Sequence, residues 1–182
     1  MNGLKVAGVL PVARVADPAE RLAGLFDTHC DRLYRLARRL SASTDDALDL
    51  VQETFLRAAK SLRSIPAGAN SEEAWLVRVL INTRRDQWRK TATRRRHHAT
   101  IDCAPNEEDL EASLIAKDRV WRALDVLAPR RRAIVVMHEL EGLAIPAIAS
   151  LLGIREVTAR WHLSRGRRDL LQALKSCMGE TR

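Results

Sequence analysis

The sequence predicts an all-α protein: two small helical domains joined by a flexible linker, the C-terminal one a helix-turn-helix. Three observations lead there. Apolar residues recur at helical spacing, as in Leu22, Leu25, Phe26, Leu33, Leu36, Ala37 and Leu40. Gly and Pro are scarce, 8 and 6 among 182 residues, against abundant Ala, Leu, Arg and Glu, a balance that favours helix. The stretch "SLLGIREVTARW" reads as a short helix ending at Leu152, a glycine able to turn left-handed, and a new helix after Ile154. The length allows one domain or two small ones. Halves of under ~100 residues bury only modest cores, so their helices must pack efficiently.

Residues 1–19 read as a loose tail. The start "MNGLKVAGVLPVARVADPAE" has one Lys and a short apolar patch broken by Pro11, a poor signal peptide. An upstream start codon is an equally open explanation of this stretch. Residues 20–96 form the first domain. One or two amphipathic helices cover 20–40. "SASTDD" then signals a helix start, with Ser43 as N-cap and Asp46 three residues on. That helix runs to about Leu62 and buries Val51, Phe55, Ala58 and Leu62. "RSIPAGAN" breaks it with Pro66 and Gly68.

Asn70, with Glu73 three residues later, starts a long helix to about Arg96. Its second half turns basic, through Arg84, Arg85, Arg89, Lys90, Arg94, Arg95 and Arg96. Arg78, Asn82, Arg85 and Arg89 make one polar, cationic stripe. Residues 97–114 form an acidic linker with Asp102, Glu107, Glu108, Asp109 and Glu111. Residues 115–176 form the second domain, in four short helices at about 115–127, 130–140, 145–151 and 155–175. Pro129 and Pro146 stand near helix starts, where proline is tolerated. Residues 177–182 form a tail.

The net charge is +8 and the pI about 10.2, which points to a polyanionic partner, most often nucleic acid; a merely soluble basic protein is the plainer alternative. Three distant cysteines, Cys30, Cys103 and Cys177, fit a reducing cytosol better than a disulfide framework. His29-Cys30 and His97-His98 have no second half at zinc spacing. No apolar run reaches the ~18 residues of a membrane helix. The sequence implies no cofactor.

The helix after the turn carries Arg155, Arg160, His162, Arg165, Arg167 and Arg168. A helix-turn-helix lays such a helix in the major groove, its early residues at base edges. Thr158, Arg160, Trp161 and Arg165 are the candidate readers. Arg167 and Arg168 suit phosphates. The basic helix at 75–96, with Trp75, Asn82 and Trp88, suggests a second contact with nucleic acid, because aromatic planes stack on unpaired bases and basic rows track a backbone. Trp75 and Trp88 could equally anchor a core. Modules on one linker gain from effective concentration. An unexpected feature is "DALDLVQETFLRA", which sets Asp46, Asp49, Gln52 and Glu53 on one face of a basic protein.

These motifs resemble the sigma-70 family, in particular the small extracytoplasmic-function (ECF) sigma factors. "DALDLVQETFLRA" is similar to region 2.2, "AWLVRVLINTRRDQWRK" to regions 2.3 and 2.4, and "LDVLAPRRRAIVVMHELEGLAIPAIASLLGIREVTARWHLSRGRRDL" to region 4. The resemblance implies a non-enzymatic promoter-specificity subunit. Asp46, Asp49, Gln52 and Glu53 would bind the β′ clamp of core RNA polymerase. An acidic patch on a basic protein fits this, since it favours a basic protein partner and repels DNA. Trp75, Arg78, Asn82, Arg85, Arg89 and Lys90, with the "RSIPAGANSE" loop, would engage the −10 element and hold an extruded base. Arg155, Thr158, Arg160, Trp161, His162, Arg165 and Arg167 would bind the −35 duplex. The acidic linker would thread toward the RNA exit path. The β flap, promoter DNA and an anti-sigma factor, often membrane-bound, are the other implied partners. Location would be cytoplasmic, at the nucleoid or held near the membrane by that inhibitor.

There are departures. The family often has Ser-Tyr-x-Glu-Ile-Ala where this chain has Ala144-Ile145-Pro146-Ala147-Ile148-Ala149, and Gly-Thr-Val-Lys-Ser-Arg where it has Val157-Thr158-Ala159-Arg160-Trp161-His162. Competing readings are a stand-alone helix-turn-helix regulator and a metal-dependent nuclease. The latter would need converging carboxylates, but Asp45, Asp46, Asp49 and Glu53 lie along one helix.

Overall fold

The computed structural model describes residues 17–97 and 120–179, and side chains for 17–90 and 120–176. The regular elements among them are helices, as the composition predicts. The linker and most of the N-terminal tail lie outside these residues.

Helix α1 spans Pro18–Leu40, one continuous helix where one or two were expected, and it begins two residues inside the anticipated tail. Asp17 caps it, its side chain accepting from the Ala19 N–H at 3.1 Å, and Pro18 occupies the first turn, where a missing N–H costs nothing. Leu25, Leu33, Leu36, Ala37 and Leu40 are buried. Phe26 is not: it stays half exposed, with its ring 4.9 Å from that of Phe55.

Helix α2 spans Thr44–Lys60 and starts as read from the sequence, with the Asp46 N–H donating to Ser43 Oγ at 3.0 Å. Val51, Phe55 and Ala58 are buried. Leu62 falls beyond α2, in the 3-10 turn Leu62–Ser64, and packs against the core from there.

Helix α3 spans Ala69–His97. Asn70 does not cap it. The Gly68 carbonyl accepts from both the Ser71 and Glu72 N–H groups at 2.9 Å, and Gly68 has φ of 102°, a turn open chiefly to glycine. Glu73 is engaged elsewhere, 3.1 Å from Arg32 of α1.

Helices α1, α2 and α3 pack pairwise around Leu33, Leu36, Leu50, Leu76 and Leu80, all fully buried. In the second half, α4 is described over 120–125. Helix α5 spans Pro129–Val135 and passes into a π turn, Val136–Leu140, where one continuous helix was expected. A π turn admits an extra residue. Here it buries Val136 and Met137, and the chain leaves through Gly142 at φ 67°. The His138 ring Nδ1 lies 2.9 Å from the Leu143 carbonyl, closing the turn.

Helix α6 spans Ile145–Leu152 and α7 spans Glu156–Gly179, beyond the expected end near 175. Gly153 between them has φ 63° and ψ 40°, the left-handed cap that the sequence predicts. Gly166 of α7 is fully packed: a Cβ there would meet Val135 Cγ2 at 2.6 Å.

The two halves share a continuous apolar core, and α3 packs on both α5 and α6. Arg132 of α5 is 3% exposed. Its Nε donates to the Arg39 carbonyl at 3.0 Å, and it also pairs with Asp125. Burial pushes its pKa down, against the pull of Asp125.

Gly166→Ala gains helix propensity of about 1 kcal/mol but forces a stiff valine aside, which costs ~1–3 kcal/mol. Net destabilisation of about 1 kcal/mol is expected, read as a lower urea midpoint; a raised midpoint would mean that α5 and α7 do not touch there.

Candidate nucleic-acid and protein interfaces

Three surfaces gather the residues singled out in the sequence. The first is a cleft of about 410 Å³ between α2 and α3, lined by Asp49, Gln52, Glu53, Leu56, Arg57, Thr83, Asp86, Gln87 and Lys90. Asp46 is exposed at the start of α2 and does not line it. The face is less purely acidic than the sequence suggests. Arg57 Nε donates to Glu53 Oε1 at 2.9 Å and its Nη1 lies 3.6 Å from Asp86. That hydrogen bond is the main cause holding the Glu53 carboxyl below its ordinary pKa. Exposed Leu48 and Leu56 supply apolar area on the same helix. Lys90, expected on the DNA side of α3, faces this cleft instead.

The second surface is a cavity of about 300 Å³ lined by Arg57, Lys60, Ser61, Trp75, Val79 and Asn82. It unites Trp75 and Asn82, as expected. It adds Lys60, Ser61 and Arg57 from the end of α2, which sequence reasoning missed because only folding brings that end beside α3. Trp75 is half-buried and packs against the core on one side while lining the cavity on the other. The stripe from Arg78 to Arg89 is divided. Arg78 Nε donates to the Ala74 carbonyl at 3.0 Å, and its Nη1 lies 2.9 Å from where a Gly153 Cβ would stand. Arg85 lies 3.7 Å from Asp86. Arg89 and Trp88 are on the outside.

The third surface is the outer face of α7. Arg155, Arg160, Trp161, Arg165 and Arg167 are exposed there, while Thr158 and His162 are half-buried. Three of the arginines are already held by carboxylates. Arg160 lies 3.0 Å from Glu156, Arg165 3.2 Å from Asp169, and Arg167 2.7 Å from Glu139. Exposed pairs of this kind are weak and exchangeable. Val157, which the sequence reading passed over, is 72% exposed and Trp161 is 55% exposed, one helical turn apart. Arg131 of α5 lies over the Trp161 ring at 5.8 Å and is itself fixed by Asp169 at 2.6 Å, so the indole is oriented before anything binds. His162 turns inward; burial first, then Arg130 and Arg131, push its pKa down.

Among the described residues, no group of three His, Cys, Asp or Glu side chains could hold a metal ion, and no helix is long and apolar enough to cross a membrane. Cys30 is half-buried; burial and then Asp31 raise its thiol pKa.

A helix-turn-helix with a cationic outer face, joined to a second helical unit, defines a DNA-binding protein. Comparison with known proteins narrows the class. Residues 25–95 match the sigma-70 region 2 family model, and residues 117–170 match that of sigma-70 region 4. The chain is 36% identical over 168 residues to the ECF RNA polymerase sigma factor SigE of Mycolicibacterium smegmatis, an alignment covering 86% of this chain and 63% of that one. It is 32% identical to the ECF sigma factor SigM of Mycobacterium tuberculosis, over 91% of this chain and 83% of that one. The fold is similar to that of the sigma factor RpoE solved with the anti-sigma factor NepR from Bartonella quintana, at a TM-score of 0.58 and 24% identity, covering 84% of this chain and 96% of that one. A similar likeness, with a TM-score of 0.56, 23% identity and coverage of 87% of this chain and 95% of that one, holds for CnrH solved with the cytosolic domain of CnrY. The chain belongs to the ECF sigma factors of the sigma-70 family.

The depressed His162 pKa has a defined consequence. As pH falls, the unfolded chain takes up this proton first, so the contribution is intact above about pH 6.5, the unfolded value, and is lost below it. An NMR titration should place the His162 midpoint below that of a free imidazole and raise it in Arg131→Ala; a midpoint at or above the free value would put the ring in solvent.

Proposed function

We propose that this chain binds core RNA polymerase and directs it to promoters, opening the −10 element with its first half and reading the −35 duplex with its second. One observation carries the reading: an acidic and apolar cleft, a cavity lined by an aromatic ring and cations, and a helix-turn-helix occur in that order on one all-α chain belonging to this family. The chain is a binding protein with no active site of its own. It works in the cytoplasm at the nucleoid, or is held near the membrane by an anti-sigma factor.

In this reading the cleft with Asp49, Gln52 and Glu53 docks on the basic β′ clamp, and Leu48 and Leu56 supply apolar contact beside the charges. Asp46 lies at the margin. An extruded −10 base enters the cavity beside Trp75 and hydrogen-bonds to Asn82. Lys60 and Arg57 hold the neighbouring phosphates, offsetting the few kcal/mol that unstacking costs. Arg78, Arg85 and Arg89 track the same strand, while Lys90 stays in the docking cleft. Helix α7 enters the −35 major groove. Arg155, Arg160 and Arg165 exchange internal carboxylates or solvent for DNA, Thr158 and His162 support the helix from its inner side, and Arg167 holds phosphate. Val157 and Trp161 present an apolar pair to the bases, which suits the C5-methyl of thymine. The β flap receives the second half. Residues 97–114 carry negative charge toward the RNA exit path. An anti-sigma factor would control access to these surfaces; the structural neighbour RpoE was itself solved in complex with the anti-sigma factor NepR.

Run-off transcription with purified core polymerase on pooled genomic promoter fragments should give discrete starts only when the protein is added. Glu53→Lys should abolish these starts and weaken core binding while leaving the circular dichroism unchanged, because the charge reverses on an exposed face. Wild-type protein that yields no starts and does not bind core would return the stand-alone regulator to first place.

Replacing single thymines of the −35 duplex by deoxyuridine removes only a methyl group. Wild-type protein should lose about fourfold in affinity at each thymine covered by Trp161, the worth of one buried methyl. Trp161→Ala should be indifferent to the change, whereas equal losses in both proteins would assign the contact elsewhere.

A further inference from the structure

One cavity lies apart from the Glu53 cleft, the Trp75 cavity and the outer face of α7. It holds about 380 Å³ between the end of α1 and α4. Arg38, Arg39 and Ser41 line it from α1 and its cap, and Trp121, Arg122 and Asp125 line it from α4. Small-molecule sites occupy about 300–1,000 Å³, so the volume suits a ligand of that kind.

The charge balance of its walls is positive. Three arginines face one carboxylate, Asp125, which already pairs with buried Arg132. Arg39 is shared with Glu141, a side chain 6% exposed, at 2.9 Å. Arg38 is half-buried and has no carboxylate in ion-pair reach among the described residues. A cation partly withdrawn from water without a counter-ion favours an anion beside it. Helix C-termini repel anions, but the last carbonyls of α1 are covered by Arg84 and Arg132. Ser41 is 4% exposed and its Oγ has no hydrogen-bond partner. Buried hydroxyls are ordinarily paired, so this wall lacks an acceptor. Trp121 packs against the core and also borders the cavity.

We propose that this cavity binds a free nucleotide, its base against Trp121 and its phosphates held by Arg38, Arg39 and Arg122. Guanidinium forks match phosphate oxygens, and an aromatic face suits any base. Three cations exceed what a single carboxylate ligand needs, which favours a chain of phosphates. The walls belong to α1 and α4, and neither carries a promoter-reading residue, so a free nucleotide is favoured over a strand. The ligand meets residues that only the folded chain brings together, and its binding therefore stabilises the fold. The site is independent of promoter reading.

The test is calorimetric titration of the full chain with ATP, GTP and inorganic pyrophosphate at about 0.15 M salt, where loose surface attraction is screened. ATP or GTP should bind one to one and raise the Tm. Pyrophosphate lacks the base and should bind about tenfold more weakly. Arg38→Gln should weaken nucleotide binding about tenfold and remove the Tm shift. Arg35→Gln removes the same charge from an exposed position of α1 outside the cavity and should change neither. Trp121→Ala should bring ATP down to the pyrophosphate level. Because Trp121 also packs on the core, Arg122→Gln keeps the test decisive if that variant unfolds, and it should weaken ATP as Arg38→Gln does. Four outcomes would overturn the site: no saturation below about 1 mM, equal affinity for ATP and pyrophosphate, equal losses in Arg35→Gln and Arg38→Gln, or a random-sequence single strand that displaces ATP and depends on Arg38 as strongly. The last would place a strand in the cavity instead.

Discussion

Three consecutive carbonyls at the end of α1, those of Arg39, Leu40 and Ser41, are met by guanidinium groups from elsewhere in the chain. Arg84 of α3 donates to Leu40 at 3.0 Å, and buried Arg132 of α5 reaches Arg39 at 3.0 Å and Ser41 at 3.5 Å. The last carbonyls of a helix have no partner within it, and leaving them buried and unmet costs about 1–3 kcal/mol each. One helix end therefore places α3 and α5 at once. Both halves are oriented from this point, because α3 carries the cavity and α5 supports α7.

Charge is used in two ways on this chain. Where it is buried, at Arg132 or Glu141, it sets geometry and is costly to disturb. Where it is exposed, as in the pairs of Arg160 with Glu156 and Arg167 with Glu139, each contact is worth at most about 1 kcal/mol. Such arginines are kept in place without being committed, and a phosphate can take over from a carboxylate at little cost. A strongly basic chain, at +8, thereby avoids the self-repulsion of bare clusters while remaining ready for nucleic acid.

Local signals in the sequence were legible wherever a short-range rule decides the outcome. Ser43 caps α2 because a hydroxyl three residues before a free N–H closes a ring within one turn. Gly153 ends α6 because the left-handed region is strained for other residues. Val51, Phe55 and Ala58 face inward because helical spacing places them together. Asn70 failed because Gly68 had already supplied the first-turn acceptor. The helix expected over 130–140 is present but changes from α to π pitch at Val136, a change that periodicity does not register. In the candidate site, Asp49, Gln52, Glu53, Trp75 and Asn82 were legible from their types and spacing. Lys60 and Arg131 were not, since their roles come from neighbours far away in sequence, and Val157 was passed over although Trp161 stands one helical turn from it.

The sequence by itself determined the all-α class, the glycine-turned pair of helices, the acidic face of α2 and the family, because these rest on periodicity, capping and motif order within short windows. Only the tertiary structure decided that Lys90 faces the acidic cleft, that Arg57 lies 3.6 Å from Asp86, and that Arg78 lies beneath the Gly153 turn. Those contacts join residues tens of positions apart. Their energies depend on burial and distance, which no local pattern of residues encodes.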